Sequence, residues 1–490
     1  MLNKKFLKIL SLTTVATVTM SFVACNSSTS EADPDVSVEV STTTMASESM
    51  SAEASEADLD SSIELLSADD IVINEEMSSA NDSEHVIEAD GEAIEYSNVG
   101  ITKTGDSDQG DEADFYGDNS AVFATNGATL TLSEMVIDTD GTHANAVFSY
   151  GENTTVNVSD SVITTSGNCS GGIMTTGGGT MNANNLTVHT TGNSSAAIRS
   201  DRGGGTVTVN GGSYTTDGTG SPAIYSTADI TVDDAMLEST AAQGVVVEGQ
   251  NSVTLNNVTL IADNNTKNGD KSDYYQAVMI YQSMSGDADE GLAAFSMTDG
   301  SLTNANGDIF FVNNTVATIT LENVSIINQD SSGVFLRAEA AGWGSEGSNG
   351  GKVNLNLVNQ SAAGDIVVDE VSALNMYMTS GSSYEGAINA DNEGEVYIEI
   401  ESGSTWTLTG DSYISSLTCD SGCIDLNGHK LYVNGIEYSE GSSSEGTAIT
   451  LATTSSSSDH NGRPDGEPPE MPDGNGGPGG EGEEPPAKPD

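Results

Sequence analysis

The chain has 490 residues, of which 36% are hydrophobic, 5% are aromatic and 54 are glycine. Its 13 basic and 74 acidic residues give a formal net charge of −61, which repels nucleic acid and anionic membranes and argues against both as direct partners. Abundant Ser, Thr and Asn, together with the lack of a long amphipathic helical pattern, favour an all-β chain with polar turns.

Residues 1–24 have the pattern of an export signal. Lysines precede an apolar stretch at 9–23, and the stretch ends in Phe-Val-Ala-Cys at Cys25. The last four residues resemble a bacterial lipoprotein signal, although Phe22 departs from the usual Leu. The resemblance implies that Cys25 is lipidated and anchors the protein to the membrane, exposed at the cell surface. Ordinary secretion with cleavage nearby is the alternative.

Composition divides the remaining chain into three parts. Residues 25–84 are rich in Ser, Glu, Asp and Ala and are predicted to be a flexible acidic tether. Residues 441–490 are rich in Gly, Pro and Glu and are predicted to be a disordered tail. Residues 85–440 between them are the predicted folded domain.

The folded domain is dominated by a phrase that returns about every 25 residues, as in Ala-Val-Phe-Ala at 121–124 and Ala-Val-Phe-Ser at 146–149. Each unit divides into three short strands, so stacked units should place three columns of aliphatic side chains inside. The predicted inward column of the first strand is Val122, Val147, Ile173, Ile198, Ile224, Val245, Val278, Ile309, Val334, Ile366 and Ile388.

Two further inward columns follow from the second and third strands, and a polar column marks the corner between them. The second-strand column is Leu132, Val158, Ala183, Val209, Val232, Leu255, Met297 and Leu321. The third-strand column is Ile137, Ile163, Val188, Tyr214, Leu237, Leu260, Leu302 and Ile326. The corner includes Glu134, Asp160, Asn185, Gly211, Asp234, Asn257, Asp299 and Asn323, residue types that mostly tolerate left-handed backbone and bond locally.

The three columns and the Asn-rich corner resemble the right-handed parallel β-helix of pectate lyases and of many bacterial surface and adhesin-like proteins. The resemblance covers residues 90–435. It implies an all-β, right-handed three-strand parallel β-helix of about a dozen coils. Residues 263–276 and 338–351 are longer than the repeat allows and are predicted to be side loops.

If the aliphatic columns point inward, a line of large side chains on the first strand points outward. Aromatic rings beside polar groups suit stacking on sugars, so these residues are a candidate ligand-binding face. Its members are Phe123, Phe148, Met174, Tyr225, Phe310 and Phe335, joined by Arg199, Asp201 and Arg202. The alternative is that the N-terminal segment or a side loop covers the line.

Arg199, Asp201 and Arg202 form the one concentrated cationic spot, next to the glycines 203–205. Two guanidinium groups can grip a carboxylate of an acidic sugar or peptide. Internal pairing with Asp201 or with acids of the next coil is the alternative.

The cysteines suggest one disulfide and no metal site. Cys419 and Cys423 are close enough in sequence to close a small hairpin disulfide in an oxidising compartment. Cys169 has no obvious partner and is interpreted as a small buried residue. No cofactor is expected, although Asp-rich turns could hold calcium loosely.

An enzymatic role is the less favoured interpretation. A lyase of the resembled fold would need a base such as Arg199 opposite carboxylates such as Asp201. A hydrolase would need paired carboxylates, for which Asp233 and Asp234 are the best candidates, yet a structural role at the corner suffices for them. The family's Asn-Thr-Asp and Gly-His-Gly signatures are absent, and Gly428-His429-Lys430 departs from the latter.

These observations predict an exported, lipid-anchored, monomeric surface protein that uses a β-helix face for adhesion or recognition of a glycan or another surface molecule. The alternatives are a structural or shielding envelope protein without a specific ligand, and a polysaccharide lyase or hydrolase. Ice binding through Thr-x-Thr ranks on the second strand is a further alternative, against which the unequal coils argue.

Overall fold

The computed structural model describes residues 65–267 and 271–452. The signal segment, Cys25 and most of the predicted tether and tail lie outside these residues. Within them the chain folds as a parallel β-helix, which confirms the predicted fold class. The helical elements are a 3₁₀ turn, Ala68–Asp70, and a short α-helix, Asp111–Tyr116. No helix in these ranges is long and apolar enough to cross a membrane.

The first strand of each coil belongs to an eleven-stranded parallel sheet, called here the first sheet. Its strands are Ile87–Asp90, Val122–Thr125, Val147–Tyr150, Ile173–Thr176, Ile198–Ser200, Ile224–Ser226, Val245–Glu248, Gln276–Tyr281, Asp308–Asn313, Leu336–Ala338 and Ile366–Val368. An isolated parallel bridge from Ile366 to Ile388 extends this column by one more coil.

The second and third strands share a single 21-stranded sheet, because Gly179–Thr190 and Gly205–Thr216 continue around the corner between the two columns. The other second strands are Ala93–Ser97, Thr129–Ser133, Thr155–Ser159, Asp229–Asp233, Ser252–Asn256, Leu292–Thr298, Val316–Glu322, Lys352–Val358, Ala373–Thr379, Glu395–Ile400 and Ser416–Cys419. The other third strands are Glu75–Ser79, Val99–Lys103, Val136–Thr139, Val162–Thr165, Met236–Ser239, Thr259–Ala262, Ser301–Asn304 and Ser325–Asn328.

Smaller sheets complete the C-terminal coils. The third strands there form a four-stranded sheet of Ser361–Ala363, Ser383–Glu385, Thr405–Thr407 and Ile424–Asp425. A three-stranded sheet consists of Ser412–Ile414, Leu431–Val433 and Ile436–Glu437, and its last pairing is antiparallel. At the other end, Glu75–Ser79 already pairs with Val99–Lys103, so parallel pairing begins within the segment predicted as tether.

The predicted stacking of aliphatic residues is confirmed where the repeat is most regular. Ile198 lies opposite Ile173 on one side and opposite Ile224 on the other, and all three side chains are fully buried. Burying such a side chain contributes about 2 kcal/mol to folding. Most members of the second and third predicted columns are buried in the same core.

The first-strand column was predicted wrongly in two coils, where consecutive apolar residues leave the alternation ambiguous. Val278 pairs with Phe310 rather than Ile309, and Phe310 pairs with Leu336 rather than with Val334. Phe310 and Phe335, which were predicted to face outward, therefore lie in the main core. They form part of an internal edge-to-face series with ring centroids 5.6 to 5.7 Å apart, Phe295, Phe310, Phe335 and Tyr384.

The polar corner has the left-handed backbone that its composition predicts. Every member of the predicted corner column, from Glu134 to Asn323, has a positive φ. Side chains there also bond from coil to coil: Asn185 donates to Asp160 at 2.7 Å, and Asn257 donates to Asp234 at 2.6 Å. Asp234 thus belongs to the corner, as does Asp233, which accepts a hydrogen bond from Asn256 at 2.7 Å.

The turn after the third strand carries a buried series of hydroxyl groups, called here the serine ladder, at Ser170, Ser195 and Ser221. Ser195 Oγ accepts a hydrogen bond from the Ser170 amide at 2.9 Å and donates to the Gly167 carbonyl at 3.1 Å. The same arrangement recurs one coil further on, with Ser221 Oγ accepting from the Ser195 amide. Because these backbone groups are buried, the hydroxyls satisfy donors and acceptors that water cannot reach.

The start of the predicted tail packs on the solenoid instead of leaving it. Ser444 forms an antiparallel bridge with Cys419, the Thr447 amide donates to Ser416 Oγ at 2.9 Å, and the Ile449 amide donates to Asn375 Oδ1 at 2.9 Å. Outward-facing polar side chains of the last coils provide these partners. Residues 444–452 are therefore part of the folded domain.

The predicted disulfide between Cys419 and Cys423 is not formed. Both cysteines are free and buried, with exposed fractions of 4% and 5%. Cys419 ends a second strand and Cys423 precedes a third strand, so both thiols pack into the core on either side of a corner. Cys169 is buried, as predicted.

Candidate functional site

A short helix covers one end of the outward line on the first sheet. The helix Asp111–Tyr116 ends at Gly117, whose φ of +77° and close approach to Phe123 exclude a side chain. Beneath it Phe123, Phe148 and Met174 are at most 1% exposed and pack with Tyr150 and Tyr116. The predicted exposure of Phe123, Phe148 and Met174 is therefore wrong, and the alternative of a covering side loop is correct.

The helix also delivers a buried carboxylate to the cationic spot. Asp114 Oδ2 accepts a hydrogen bond from Arg199 Nη2 at 3.0 Å, and Asp201 Oδ2 lies 3.1 Å from the same nitrogen. Asp114 also contacts His143 Nδ1 at 3.2 Å and accepts from Asn145 at 3.2 Å. Arg199 is therefore paired internally, which was one of the two alternatives for this residue.

Arg202 joins the helix to a loop on the opposite side. Its guanidinium lies 3.9 Å from the centre of the Phe115 ring and donates to Asp287 Oδ1 at 2.8 Å. The Arg202 side chain remains 42% exposed. Stacking on Phe115 and the ion pair with Asp287 together hold the guanidinium, so it is not a free anion-binding group.

A carboxylate with only hydroxyl partners lies deeper on the same face. Glu248 Oε2 accepts hydrogen bonds from Tyr225 at 2.6 Å and from Tyr281 at 2.9 Å, and Oε1 accepts from Ser283. Glu248 is 1% exposed, and no ion pair to it is found in the described ranges. A buried anion held by neutral donors leaves its charge uncompensated.

The two predicted side loops form the far wall. The Gly342 amide donates to the Lys271 carbonyl at 2.8 Å, which joins the two insertions to each other. Trp343 packs edge-to-face on Tyr281 at 5.1 Å. Tyr274 lies over the Arg337 guanidinium at 3.5 Å from the ring centre. Tyr274 is nevertheless 40% exposed.

Helix, first sheet and side loops enclose a cavity of about 490 Å³. We call the buried groups Asp114, Asp201, Glu248 and Arg199 its floor, and the side chains of Lys267, Lys271, Tyr274 and Trp343 its rim. The cavity thus combines a few converging polar groups with aromatic rings, the composition typical of small-ligand sites.

The two carboxyl groups that contact Arg199, those of Asp114 and Asp201, have pKa values shifted in opposite directions. Burial, reinforced by the nearby charges of Asp287 and Asp114, raises the pKa of Asp201 to about 7 against the pull of Arg199. Burial also acts to raise the pKa of Asp114, but Arg199 and the hydrogen bonds from His143 and Asn145 outweigh it and hold that pKa below its usual value. Burial and the Glu248 charge raise the pKa values of Tyr225 and Tyr281, so both phenols stay protonated donors.

One cluster near the cavity has metal-ligating residue types. Candidate ligand atoms of Asp114, His143 and Cys169 lie within 4.8 Å of one another. Both oxygens of Asp114 already have partners, Asn145 and Arg199. The cluster therefore packs as part of the protein interior.

Three of the predicted site residues line the cavity, Arg199, Asp201 and Tyr225, and Arg202 contacts two of the other lining residues, Phe115 and Asp287. Phe123, Phe148 and Met174 lie under the helix, and Phe310 and Phe335 lie in the core. Asp114 and Glu248 were not predicted as site residues. Glu248 carried a usable signal, because it is an acid that directly follows the apolar run Val245–Val247 at an outward position.

The threonine ranks on the second strands are aligned but interrupted. Thr131 pairs with Asn157, which pairs with Asn182, and Thr206 pairs with Asp229. Mixed amides, acids and hydroxyls replace a regular hydroxyl array on this face. The observation gives no added support to ice binding.

Comparison with protein-family models, with curated proteins and with solved structures finds no match.

Proposed function

We propose that this protein recognises an extracellular glycan in the cavity on the first sheet, from a position at the cell surface given by export and lipidation at Cys25. The resemblance of the repeat to β-helix surface proteins and pectate lyases supports this class of ligand. The observation that carries the proposal is the rim. Tyr274 presents an exposed ring at the mouth of a polar cavity, with Arg337 fixed behind it.

Sugar rings stack on aromatic faces, while their hydroxyls bond to side chains below. The floor provides a donor and an acceptor: Arg199 Nη1 is a buried donor that has no acceptor among the described residues, and Glu248 is an acceptor. Trp343 packs on Tyr281 and Tyr274 stacks on Arg337 before any ligand binds, which lowers the entropy lost on association.

The test is a glycan array followed by calorimetric titration of the purified protein with the glycans that bind. Tyr274→Ala and Trp343→Ala should each weaken binding about tenfold or more. Tyr432→Ala, which alters a stacked tyrosine pair near the C-terminus, is the matched control and should bind normally. Circular dichroism checks folding. Failure of every glycan to bind reproducibly would favour the structural or shielding role instead.

A polysaccharide-cleaving activity is a second candidate, because a carboxyl group with a pKa of about 7 in a cavity is suited to general acid–base chemistry. Arg199 is unsuited to act as the base of a lyase, because Asp114 and Asp201 raise its pKa despite burial. Incubation with polysaccharides and a reducing-end assay tests this candidate. Activity lost in Asp201→Asn would establish it, and intact substrate would exclude it.

A further inference from the structure

Even when Asp201 is protonated, the floor of the cavity holds two carboxylates, Asp114 and Glu248, against the single guanidinium of Arg199. Asp114, Asp201 and Glu248 are between 1% and 6% exposed, and the one guanidinium among them, on Arg199, is shared by the two aspartates. Glu248 receives only hydroxyl donors. Charges buried in this way are weakly screened by water and salt, so they would strongly attract a cation that enters the cavity.

A second, independent observation concerns hydrogen bonding. Gln276 lines the cavity, is 2% exposed, and its Oε1 accepts no hydrogen bond within the described ranges. An ionised carboxylate has about four acceptor positions, and Glu248 uses three of them. The cavity wall therefore offers several acceptors that a ligand carrying N–H or O–H donors can satisfy.

The rim lysines are positively charged, but Lys267 is exposed, Lys271 is half-buried, and both already have partners. Lys267 donates to the carbonyls of Ser272 and Asp273, 3.0 and 3.1 Å away, and its ammonium lies 5.7 Å from the Tyr275 ring centre. Lys271 lies 5.8 Å from the Trp343 ring centre. Water and salt screen such groups, so the buried floor dominates the preference for charge.

We propose that the ligand of this cavity is a glycan bearing a protonated primary amine, a 2-amino-2-deoxyhexose unit whose ammonium points at Glu248. The inference depends on the proposed glycan-binding function and narrows it. An ammonium supplies three donors to the floor acceptors, and a neighbouring hydroxyl oxygen accepts from Arg199 Nη1.

The experiment titrates the full protein with oligosaccharides of equal length at constant ionic strength. The amine series is oligoglucosamine, and the comparisons are N-acetylated oligoglucosamine, neutral oligoglucose and oligogalacturonate. Oligoglucosamine should bind about tenfold or more tightly than its N-acetylated form. Preference for the N-acetylated, neutral or acidic series would overturn the inference but leave the proposed function standing. Absence of binding to all four would overturn the inference, and the glycan array would then decide whether the proposed function fails with it.

Charge-changing variants separate the floor from general attraction to an acidic protein. Glu248→Gln keeps an acceptor for the tyrosines and should weaken oligoglucosamine binding about tenfold, whereas Lys271→Gln should strengthen it about twofold. Glu385→Gln removes the same charge from an exposed position and should have little effect. Equal losses in Glu248→Gln and Glu385→Gln would show non-specific attraction and overturn the inference. Unaltered melting temperatures confirm that the variants are folded.

Discussion

Arg199 uses one terminal nitrogen for two carboxylates, and the surroundings of those carboxylates decide which of them keeps its charge. Asp114 has His143 and Asn145 as additional partners, whereas Asp201 faces the negative charges of Asp287 and Glu248. Ionisation of Asp201 is therefore the costlier event. The pKa of the Asp201 carboxyl group lies near neutral pH because burial and the neighbouring negative charges oppose its ionisation.

The first prediction concerns the pH dependence of stability. The folded-state pKa of Asp201 is about 7, above its ordinary value of 3.8, so the folded protein holds a proton that the unfolded chain has lost. Stability from this group is complete below its unfolded pKa and declines as the pH rises through the folded pKa. Asp201→Asn should remove that decline, so the variant should gain melting temperature relative to the wild type between about pH 4 and pH 7.

Thermal unfolding of both proteins across this range is the measurement. Asp114 contributes with the opposite sign, since its pKa is lowered and its contribution is lost only as the pH falls toward acid. Asp114 therefore does not alter the pH dependence of stability that Asp201 causes between about pH 4 and pH 7. Parallel curves for wild type and Asp201→Asn would contradict the assignment.

The second prediction tests the serine ladder. Ser195→Ala leaves the buried Ser170 amide without its acceptor, so it should cost about 1–3 kcal/mol. Because a solenoid can open locally, hydrogen exchange is the better readout, and the Ser170 amide should lose protection. Thr208→Ala, on the outer face of the second column, is the control and should leave this amide protected. Unchanged exchange at Ser170 would contradict the role given to the hydroxyl.

At the scale of elements, coils stack as closely as they do because glycine occupies the third turn. A Cβ on Gly192 would lie 1.9 Å from the Gly167 carbonyl oxygen, and the same contact recurs at Gly167 and Gly218. The backbone of one coil thus fills the space that a side chain would need. Gly192→Ala should lower the free energy of unfolding by about 3 kcal/mol or more, because the clash with the Gly167 carbonyl is removed only if the two coils move apart.

Chemical denaturation monitored by circular dichroism measures this third prediction. Gly410→Ala is a matched change, since its Cβ would meet only the Ala387 methyl, at 3.1 Å. Gly410→Ala should lower the free energy of unfolding much less than Gly192→Ala does. Equal stability of the two variants would mean that the turn can widen without loss of pairing between coils.

The predictable part of the fold is the part set by local alternation. A unit of about 25 residues places Ile173, Ile198 and Ile224 over one another, since aliphatic and polar positions alternate unambiguously there. Alternation fails at Ile309–Phe310, where both faces of the strand are apolar. In that coil the pairing partners decide which side chain turns inward.

The site was only partly predictable because its cover comes from distant segments. The repeat correctly indicated that Phe148 leaves the interior, but not that a helix would lie on it. The contact that ties the helix down, Thr176 Oγ1 to the Phe115 carbonyl, joins residues 61 positions apart. No periodic signal carries such a contact. Arg199 and Asp201 were found because charge is conspicuous in an apolar column.

The fourth prediction concerns the thiols of the C-terminal coils. Cys419 and Cys423 are free and buried, and burial raises the pKa of the Cys419 thiol. Native protein should therefore react slowly with iodoacetamide, and denatured, unreduced protein should be alkylated at both positions. Peptide mass spectrometry distinguishes the sites. A Cys419–Cys423 disulfide recovered from unreduced protein would restore the expectation from their spacing.

At the scale of the whole molecule, the distribution of basic residues is more informative than the net charge of −61. The basic side chains that line the cavity or contact its lining are Arg199, Arg202, Lys267, Lys271 and Arg337. Elsewhere acids dominate, which keeps the protein soluble and away from anionic surfaces. The charge of the folded domain therefore provides no attachment to an anionic membrane.

The last prediction concerns the attachment of the protein to the cell membrane. If Cys25 carries the lipid, wild-type protein should partition into the membrane fraction and resist a high-salt wash, because salt screens charge but not acyl chains. Cys25→Ser should appear in the medium, whereas Cys419→Ser, which alters a buried thiol of the solenoid, should stay with the membrane. Mass spectrometry of the N-terminal peptide identifies the modification. Wild-type protein released by salt, or free in the medium with an unmodified Cys25, would show that the anchor is absent and that ordinary secretion accounts for export.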